Sequence, residues 1–415
     1  MNDATHPPGA ARRLRVGAVA LALCALVLVS ACGGPFPQSA MDPASDMAIR
    51  LQDLFESILW WAIGVFVIVE GALLVGIFKY RDRRGDSEAG ERGEPRHLHG
   101  NTILELAWTL APALVLVFIA VPTMTTIWEV DRVSIDPDAL QIEVIGHQWW
   151  WEFRYPEYEL VTANEAYIPL GRTVEFRLRS ADVIHSFWVP RLAGKRDLMP
   201  GHETHLWFTA DSVGRFTGQC AEFCGLSHAL MKLEVVVAEP DDFAAWVEAQ
   251  TQPSPVLQQA AASDTIVAPD TAAAELARDV AEEQDEALPE GVREGPDSVP
   301  GIEPAAAEPQ DAPEPEPQDA DLATILEDGQ RLLMSKGCIA CHTIRGTPAA
   351  GVLGPDLSHV GSRRTIAAGI LENTTANMIR WLRNPGEVKP GALMPTLQLT
   401  DEELRTLAAY LRSLE

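Results

Sequence analysis

The stretch CAEFCGLSHALM places four potential metal ligands close together in the sequence. Cys220 and Cys224 can converge their sulfur atoms if the chain turns tightly between them, and His228 and Met231 follow on the far side of that turn. Thiolate, imidazole and thioether donors together select copper over magnesium, calcium or manganese. The stretch DVIHSFWVP supplies a further imidazole, His185, at the end of a β-rich run. A strained disulfide is the alternative, although it would not require a histidine and a methionine nearby.

A second pair of cysteines lies in CIACH, which has the pattern C-x-x-C-H that attaches a c-type haem. In this motif Cys338 and Cys341 form thioethers with the porphyrin, and the adjacent His342 is delivered to the iron. A zinc site would require two more ligands at close spacing, and a thioredoxin-like pair would require a βαβ setting. The motif therefore predicts a covalent haem c, which would also staple a domain too small to be secure on its own core.

The N-terminus has the features of an export signal rather than of a folded domain. Residues 1–31 carry arginines, then an apolar run that contains Cys24, then small residues that end at Ala31. With Cys32 this end resembles a bacterial lipoprotein box, in which cleavage leaves a lipidated cysteine as the first residue. A signal peptide that is cut nearby without lipidation is the alternative. We expect residues 32–56 to form an exported N-terminal segment.

Two apolar segments, Ser57 to Phe78 and Thr102 to Met124, are each long enough to cross a bilayer and predict a transmembrane hairpin over residues 57–124. The loop between them is strongly basic, so it should stay in the cytoplasm while both ends of the mature chain face outward. A carboxylate within a bilayer is a functional hypothesis by default, and each helix carries one, Glu70 or Glu105. Glu70 could instead meet a polar partner on a neighbouring subunit, and Glu105 could extend to the cytoplasmic surface or receive protons there.

Three further regions follow the hairpin. Residues 125–250 alternate apolar and polar side chains in short runs such as TVEFRLRS, which predicts a small all-β antiparallel sandwich or barrel. Residues 251–320 are rich in proline, alanine and carboxylates, so we expect a disordered acidic linker that supplies much of the net charge of -27. Residues 321–415 regain helical periodicity, and Thr400 with Glu403 forms a capping-box pattern, which predicts a small all-α domain. The fold class is thus multidomain.

The C-terminal domain resembles class I cytochrome c along nearly its whole length, through CIACH, LGPDL and NPGEVKPGALMP. The resemblance implies that the carbonyl of Pro355 orients His342 and that Met394 is the sixth ligand of the haem iron. Histidine and methionine together raise the potential and leave no open site, which suits electron transfer. His359 is a weaker alternative ligand and is expected on an exposed loop. Two further methionines are expected in the core of the domain, Met334 and Met378.

At the copper-type residues the chain resembles cytochrome c oxidase subunit II with its binuclear copper centre, CuA. The matching stretches are GHQWWWEF, DVIHSFWVP, KRDLMPG and GQCAEFCGLSHALM, together with the two-helix hairpin. The resemblance implies a cupredoxin-like fold for the β-domain. It also implies every copper ligand: bridging Cys220 and Cys224, terminal His185 and His228, and the weak ligands Met231 and the backbone carbonyl of Glu222.

The same resemblance implies further roles. The Glu222 side chain would reach a magnesium ion at the interface with the catalytic subunit, and Trp149 would receive electrons from cytochrome c. Glu105 in LELAWTLAP would lie at the mouth of a proton channel. A fused cytochrome domain departs from the commonest subunit II but is familiar from caa-type oxidases, and its haem would then receive electrons first. Three histidines have no support as ligands and are expected on the surface or in the sheet: His147, His202 and His205.

The expected function is to pass electrons from an external donor through haem c and binuclear copper to a separate catalytic subunit, which reduces oxygen to water. The implied partners are subunits I and III of cytochrome c oxidase, cytochrome c or another respiratory donor, and the membrane, with no nucleic acid. The implied location is the bacterial inner membrane, with the copper and haem domains outside. Two alternatives stay open: the electron-donor subunit of a CuA-containing nitric oxide reductase, and a non-redox copper-binding lipoprotein. A quinol oxidase subunit is disfavoured because that branch lacks the copper ligands.

Overall fold

The computed structural model describes four stretches of the chain: residues 36–80, 100–131, 136–262 and 322–415. The predicted signal peptide, the cleavage site at Cys32 and the basic loop between the membrane segments lie outside these stretches. Most of the predicted acidic linker, from residue 263 onward, lies outside them as well.

Two long apolar helices form a hairpin: α1, Asp46–Tyr80, and α2, Thr102–Val130. Both are long and apolar enough to cross a membrane, with mean hydropathies of 2.3 and 2.2, and none of either apolar stretch is buried within the chain. The helices meet through the stacked rings of Trp61 and Phe118, whose centroids are 5.6 Å apart. An ion pair of 3.1 Å between Arg50 Nη1 and Glu129 Oε2 joins the ends that adjoin the β-domain.

The first turn of α1 is fixed to the β-domain. Ala44 and Met47 are buried in the core of that domain. The Asp46 carboxylate accepts the backbone N–H of Thr209 at 2.8 Å, so the start of the helix is hydrogen-bonded to a strand. These contacts set the direction in which the hairpin leaves the domain.

Ten strands between residues 140 and 238 form a two-sheet sandwich. They are β1, Leu140–His147; β2, Trp150–Tyr155; β3, Leu160–Ala163; β4, Glu165–Pro169; β5, Thr173–Ser180; β6, His185–Trp188; β7, Arg196–Leu198; β8, Thr204–Thr209; β9, Gly214–Cys220; and β10, Lys232–Ala238. The sheet orders are β3-β2-β1-β5-β8 and β4-β10-β9-β6-β7. β1 pairs with β5 in parallel, and β4 with β10, so the expectation of a wholly antiparallel sandwich was wrong. Side-chain alternation shows which face is buried but carries no information on strand direction.

The interior of the sandwich explains why these segments are strands. Every second residue of β1 is buried, from Leu140 to Gly146, as expected for a strand with one face on a core. The two sheets meet over aromatic side chains, where Trp151 packs edge-on against Phe187 with centroids 5.7 Å apart. This core fixes the ends of β6 and β9, from which the copper-type residues project.

Two helices follow the sandwich: α3, Pro240–Thr251, and α4, Pro255–Ala262. α3 is a closing helix, and its Phe243 packs in the sandwich core. α4 lies within residues 251–320, which we expected to be a disordered linker, so any linker begins later than predicted. Val256 and Leu257 of α4 are buried in the core of the C-terminal domain. That core supplies the apolar contact that the composition of the segment itself lacks.

The C-terminal domain is helical. Its elements are α5, Leu322–Ser335; β11, Thr365–Ile366; β12, Leu371–Glu372; α6, Thr375–Arg383; α7, Pro385–Val388; and α8, Asp401–Ser413. The predicted capping box begins α8: Thr400 Oγ1 accepts the N–H of Glu403 at 3.2 Å, and the Glu403 carboxylate accepts the N–H of Thr400. α5 and α8 approach closely at Gly329, where any Cβ would collide with Tyr410.

Candidate metal centres

The ends of β6 and β9 and the loop after β9 bring the copper-type residues together. Cys220 ends β9, and the Cys224 sulfur lies 3.7 Å from the Cys220 sulfur. Both thiols are free, since a disulfide would place the sulfurs at about 2.05 Å. His185 Nδ1 lies 3.9 Å from the Cys220 sulfur. On the other side, His228 Nδ1 lies 3.6 Å from the Cys224 sulfur.

The two weak donors implied by the resemblance lie at the same place. The backbone carbonyl of Glu222 is 3.2 Å from the Cys220 sulfur, and the Met231 sulfur is 3.9 Å from the Cys224 sulfur. The ligand atoms of His185, Cys220 and Cys224 all lie within 4.8 Å of one another. The structure therefore gathers all the predicted copper donors around the pair of thiols.

Backbone hydrogen bonds close the copper loop, which runs from Cys220 to Met231. At its base, Cys220 N–H donates to the carbonyl of Met231 at 2.9 Å, next to the first pair of the β9–β10 ladder. Ala221 N–H donates to the carbonyl of Ser186 at 2.9 Å, which ties the loop to β6. Within the loop Gly225 has a φ of 108°, a conformation that other residues rarely adopt. The sheet therefore places Cys220 and His185, and the closed loop places Cys224 beside them.

His185 is held by two residues that sequence reasoning missed. Its Nε2 lies 2.7 Å from Asp182 Oδ1, which leaves Nδ1 directed at the Cys220 sulfur. A carboxylate behind a metal-binding imidazole fixes its tautomer and raises its basicity. On the other side, a Cβ at Gly146 would come within 2.8 Å of the imidazole, so only glycine leaves room for the ring. Asp182 begins the stretch DVIH, so a carboxylate just before a candidate ligand was the available signal, whereas Gly146 lies on a distant strand.

The electrostatics of the cluster favour a bound cation. Burial opposes charge on Asp182, but the hydrogen bond with His185 holds the pKa of its carboxyl below the usual value. Burial likewise opposes charge on His185, and the bond with Asp182 raises its pKa. The two thiols share a hydrogen bond, which lowers the pKa of Cys220 and raises the pKa of Cys224. A bound cation would favour the thiolate form of both, and these soft donors fit copper.

Trp149 lies directly against the copper loop. Its indole Nε1 donates to the carbonyl of Cys224 at 2.9 Å. Gln148 Nε2 donates to the same carbonyl at 2.8 Å, a contact that no motif indicated. Only 8 % of Trp149 is exposed, and the side chain that would receive electrons is therefore largely covered.

The C-x-x-C-H motif lies in a short turn soon after α5. Cys338 and Cys341 are free thiols on this turn. His342 Nδ1 lies 2.8 Å from the carbonyl of Pro355, the contact that the resemblance implies. This hydrogen bond leaves Nε2 available to a metal, and burial lowers the pKa of His342, which favours the neutral imidazole that binds metals. A Cβ at Gly354 would come within 2.6 Å of the imidazole, so glycine is needed for the loop to pass.

The surroundings of the motif fit a haem. Apolar side chains at the edge of this small core are only partly buried, and a flat apolar group would cover them. They are Cys338, Ile339, Leu357, Leu371, Ile379, Trp381, Met394 and Leu399. Met394 lies on the loop after α7 and belongs to this set. Of the two methionines expected in the core, Met378 is 2 % exposed, whereas Met334 is 38 % exposed near the end of α5, where the prediction was wrong.

His359 does not lie on an exposed loop, as we had expected, but is 4 % exposed. Its Nδ1 lies 3.0 Å from the backbone oxygen of Glu415, and its Nε2 lies 2.9 Å from the backbone carbonyl of Gln252. The contact with Gln252 comes from the segment between α3 and α4, which could not be foreseen from the C-terminal domain alone. Both ring nitrogens are engaged, so this side chain is not free to bind iron.

The other histidines of the described residues and the membrane carboxylates have no contact with the candidate ligands that would make them part of either centre. His147 stacks on Trp150 with centroids 4.2 Å apart, and His205 Nδ1 lies 3.1 Å from a carboxylate of the neighbouring strand. His202 is exposed between β7 and β8. Glu70 lies in the middle of α1, and Glu105 lies in the first turn of α2. The proposed roles of the two carboxylates stay predictions.

Three regions of the chain match known families. Residues 35–126 match "Cytochrome C oxidase subunit II, transmembrane domain". Residues 159–238 match "Cytochrome C oxidase subunit II, periplasmic domain", a range that contains all the predicted copper donors. Residues 326–415 match "Cytochrome c", a range that contains the haem motif and Met394. The chain is therefore a membrane protein with an extracellular domain, and the matched families indicate copper and haem c as its cofactors.

Relatives match over almost the full length of the chain. Cytochrome c oxidase subunit 2 of Alkalihalophilus pseudofirmus is 32% identical over 395 residues, which cover 94% of each chain. Cytochrome c oxidase subunit 2 of Bacillus sp. (strain PS3) is 30% identical over 409 residues, again with 94% of each chain covered. A crystal structure of the periplasmic domain of subunit II of cytochrome oxidase of Bradyrhizobium japonicum is 32% identical over 28% of this chain and 96% of its own, with a TM-score of 0.27. The chain belongs to the cytochrome c oxidase subunit II family, in a form that carries a fused cytochrome c domain.

Proposed function

We propose that this subunit passes electrons from a donor outside the membrane, through covalent haem c and then a binuclear copper centre, to a catalytic subunit that reduces oxygen to water. The observation that carries the proposal is the convergence of two thiols, two imidazoles, a thioether and a backbone carbonyl at one place in the β-domain. This donor set suits two copper ions better than one, because two thiols lie between the imidazoles.

The copper loop would hold the two ions through the shared thiolates of Cys220 and Cys224. Bound there, the copper would supply one-electron transfer, which the fixed donors would serve with little rearrangement. The residues of the chain supply the fixed frame: Asp182 holds His185 in one tautomer, and the bond from Cys220 N–H to the Met231 carbonyl closes the loop. Burial of His185, Cys220, Cys224 and Met231 limits the access of water to the site, whereas His228 is partly exposed.

The haem c would be held by thioethers from Cys338 and Cys341 and by His342 and Met394. Held by a histidine and a methionine, it would supply one-electron chemistry at a raised potential. The Pro355 carbonyl fixes the orientation of His342, because it accepts the hydrogen bond of the second ring nitrogen.

The copper loop also offers a surface for the catalytic subunit. Phe223 is 77 % exposed at its tip, beside the half-exposed Glu222. An exposed aromatic side chain on a rigid loop suits a protein interface. We propose that subunit I covers this tip, that the Glu222 carboxylate contributes to a magnesium site there, and that subunit III completes the complex.

The membrane part of the proposal concerns protons and location. Glu105 lies at the start of α2, at the end of the hairpin opposite the β-domain, where it would meet protons from the cytoplasm. We propose that it serves the mouth of a proton channel in the complex. The location would be the bacterial inner membrane, with both redox domains on the periplasmic side and a lipid on Cys32.

The experiment is to purify the complex that this subunit brings down and to measure its consumption of oxygen and of nitric oxide with reduced cytochrome c. Rapid, cyanide-sensitive oxygen uptake is the expected result. Nitric oxide consumption with negligible oxygen uptake would leave the copper and haem assignments intact but would contradict oxygen as the acceptor.

A further inference from the structure

The C-terminal domain lies against the β-sandwich, and a buried lysine joins the two. Lys389 Nζ donates to the backbone carbonyl of Trp149 in the sandwich and, at 3.2 Å, to the carbonyl of Ala367 in its own domain. Only 4 % of Lys389 is exposed. One amino group thus holds a loop of the haem domain to the strand region that carries the candidate electron acceptor.

The surroundings of this amino group are unusual for a lysine. No carboxylate among the described residues lies within ion-pair distance of it, and burial lowers the pKa of Lys389 to about 7. Burying a polar group is costly unless its donors are satisfied. The two carbonyls can accept both N–H donors of the neutral amine, or two of the three donors of the ammonium group. The lysine is therefore suited to a fixed contact and not to a surface ion pair.

The residues after the lysine continue the contact. Ser227 of the copper loop donates from Oγ to the carbonyl of Pro390 at 2.5 Å. Gly391 packs on the Trp149 ring so closely that a Cβ would lie 2.8 Å from the ring, and its φ of 79° also favours glycine. Met394, the candidate axial ligand, follows on the same loop. The loop that would present the haem iron ligand is thus the loop that covers Trp149.

A second anchor lies at another part of the interface. Glu165 Oε1 accepts the backbone N–H groups of Arg364 at 2.9 Å and of Thr365 at 3.2 Å. Nearby, the N–H of Lys232 donates to the carbonyl of Ala368 at 3.1 Å. These bonds are directional and involve backbone groups, so they fix the angle of the haem domain as well as its distance.

Trp149, the residue that this loop covers, is in direct contact with the copper loop. The Trp149 indole donates to the carbonyl of Cys224, whose sulfur is one of the copper-type thiols. Contacts therefore run without a break from the loop of Met394, through Trp149, to Cys224.

We propose that Lys389 is a positioning residue: it seats the loop of Met394 on Trp149, with Glu165 as a second anchor. The haem domain of the same chain then occupies the surface through which the copper receives electrons. A soluble donor would deliver electrons to the haem domain and not to Trp149. The docking rests on the contacts alone, whereas its consequence for electron transfer rests on the proposed function.

The test compares Lys389→Met with the wild type in the purified complex, by hydrogen exchange and by electron transfer. The amides of Arg364, Thr365 and Lys232 are bonded across the interface, so their exchange reports undocking. Loss of the lysine contacts should speed exchange at these amides by about tenfold or more. After rapid photoreduction of haem c, the appearance of reduced copper should be slower than in the wild type.

The matched control is Lys336→Met, the same substitution in the same domain. Lys336 pairs only within that domain, with Glu403 at 2.6 Å, so interface exchange and electron transfer should equal those of the wild type. Glu165→Ala tests the second anchor from the sandwich side. It replaces Lys389→Met in the experiment if Lys389→Met does not yield haem-bound protein. The amide of Lys232, which bonds to neither substituted residue, is then the reporter.

The outcomes separate the docking from the proposed function. Unchanged exchange at the interface amides of Lys389→Met would overturn the proposal. If Glu165→Ala has to replace that variant, unchanged exchange at the amide of Lys232 would overturn it in the same way. Faster exchange without slower transfer would overturn the positioning role. If copper in the wild type receives no electron from haem c although both centres are intact, the proposed function fails while the exchange result still tests the docking.

Discussion

The copper site and the haem site are built in opposite ways. The copper donors project from a sandwich with a large core of its own, and His185, Cys220, Cys224 and Met231 are all buried in it. The haem residues lie on turns at the edge of a small helical core, where Cys338, Cys341 and His342 are only partly buried. The fold of the sandwich positions the copper ligands, whereas the haem would complete the core of its own domain.

This difference follows from domain size and from the kind of cofactor. The ends of paired strands can hold a few ligand atoms within 4 Å because the sheets are already rigid, so two small ions add little surface to the core. A haem is large and apolar, and a domain of fewer than about 100 residues commonly needs a staple of that kind. We therefore expect the two domains to respond differently when their cofactors are removed.

The largest contrast should come from removing the cysteine pair of each site in turn. In Cys338→Ala/Cys341→Ala the covalent haem is lost, and the helical domain should be destabilised by on the order of 2–5 kcal/mol, the usual effect of losing a cross-link from a small domain. In Cys220→Ser/Cys224→Ser the copper is lost, but the sandwich should stay folded. Haem staining, copper analysis and thermal scans by near-ultraviolet circular dichroism measure this. A sandwich that unfolds without copper would contradict the contrast.

A smaller effect is expected at the carboxylate that orients His185. Asp182→Asn should lower the copper affinity by about 10–100-fold, because the imidazole loses the partner that sets its tautomer. Competition with a chelator of known affinity measures the change. The control is Asp211→Asn, since Asp211 is exposed and its carboxylate bonds only to the adjacent Ser212. Equal affinities in the two variants would show that the fold alone orients His185.

The space behind His185 allows a test of how rigid the copper site is. Gly146→Ala would place a methyl group against the imidazole, and overpacking of this kind costs roughly 1–3 kcal/mol. In a rigid site the ring must move, so the copper spectrum should change together with the thermal midpoint. A lower thermal midpoint with an unchanged copper spectrum would mean that the strand of Gly146 shifts to make room for the methyl group while His185 keeps its position.

The smallest effect concerns pH and a carboxylate of the sandwich outside the copper site. Burial opposes charge on Glu152, but hydrogen bonds from His147 and Arg154 hold the pKa of its carboxyl below the usual value. A group whose pKa is lower in the folded state contributes stability above its unfolded pKa of about 4.3 and loses that contribution as the pH falls through its folded pKa. Glu152→Gln should therefore be less stable than the wild type at pH 7, by about 1 kcal/mol, and nearly equal to it in strong acid. Thermal scans of copper-free protein measure the difference; a gap that is constant with pH would contradict it.

Local patterns were sufficient to predict the main elements and to indicate the candidate ligands. The C-x-x-C-H motif, the spacing of Cys220, Cys224, His228 and Met231, and the two apolar segments each depend on neighbouring residues. The structure gathers these side chains as expected. His185 was found because it stands in a recognisable stretch, although it is distant in sequence.

The features that escaped prediction depend on contacts between distant segments. The parallel pairing of β1 with β5 follows from chain topology, which alternation does not encode. α4 is ordered because a second domain buries Val256 and Leu257. Lys389 and Glu165 look like ordinary surface residues in the sequence, and their partners lie in the other domain. Burial across a domain interface leaves no periodic signal.

The most direct test of the central claim, that this chain holds a binuclear copper centre in a preformed loop, is the electron paramagnetic resonance spectrum of copper in the purified, oxidised complex. We expect hyperfine structure from two equivalent copper nuclei that share one unpaired electron, and we expect it to disappear in Cys224→Ser. Hyperfine structure from a single copper nucleus, or a complex in which this chain carries no copper, would contradict the assignment.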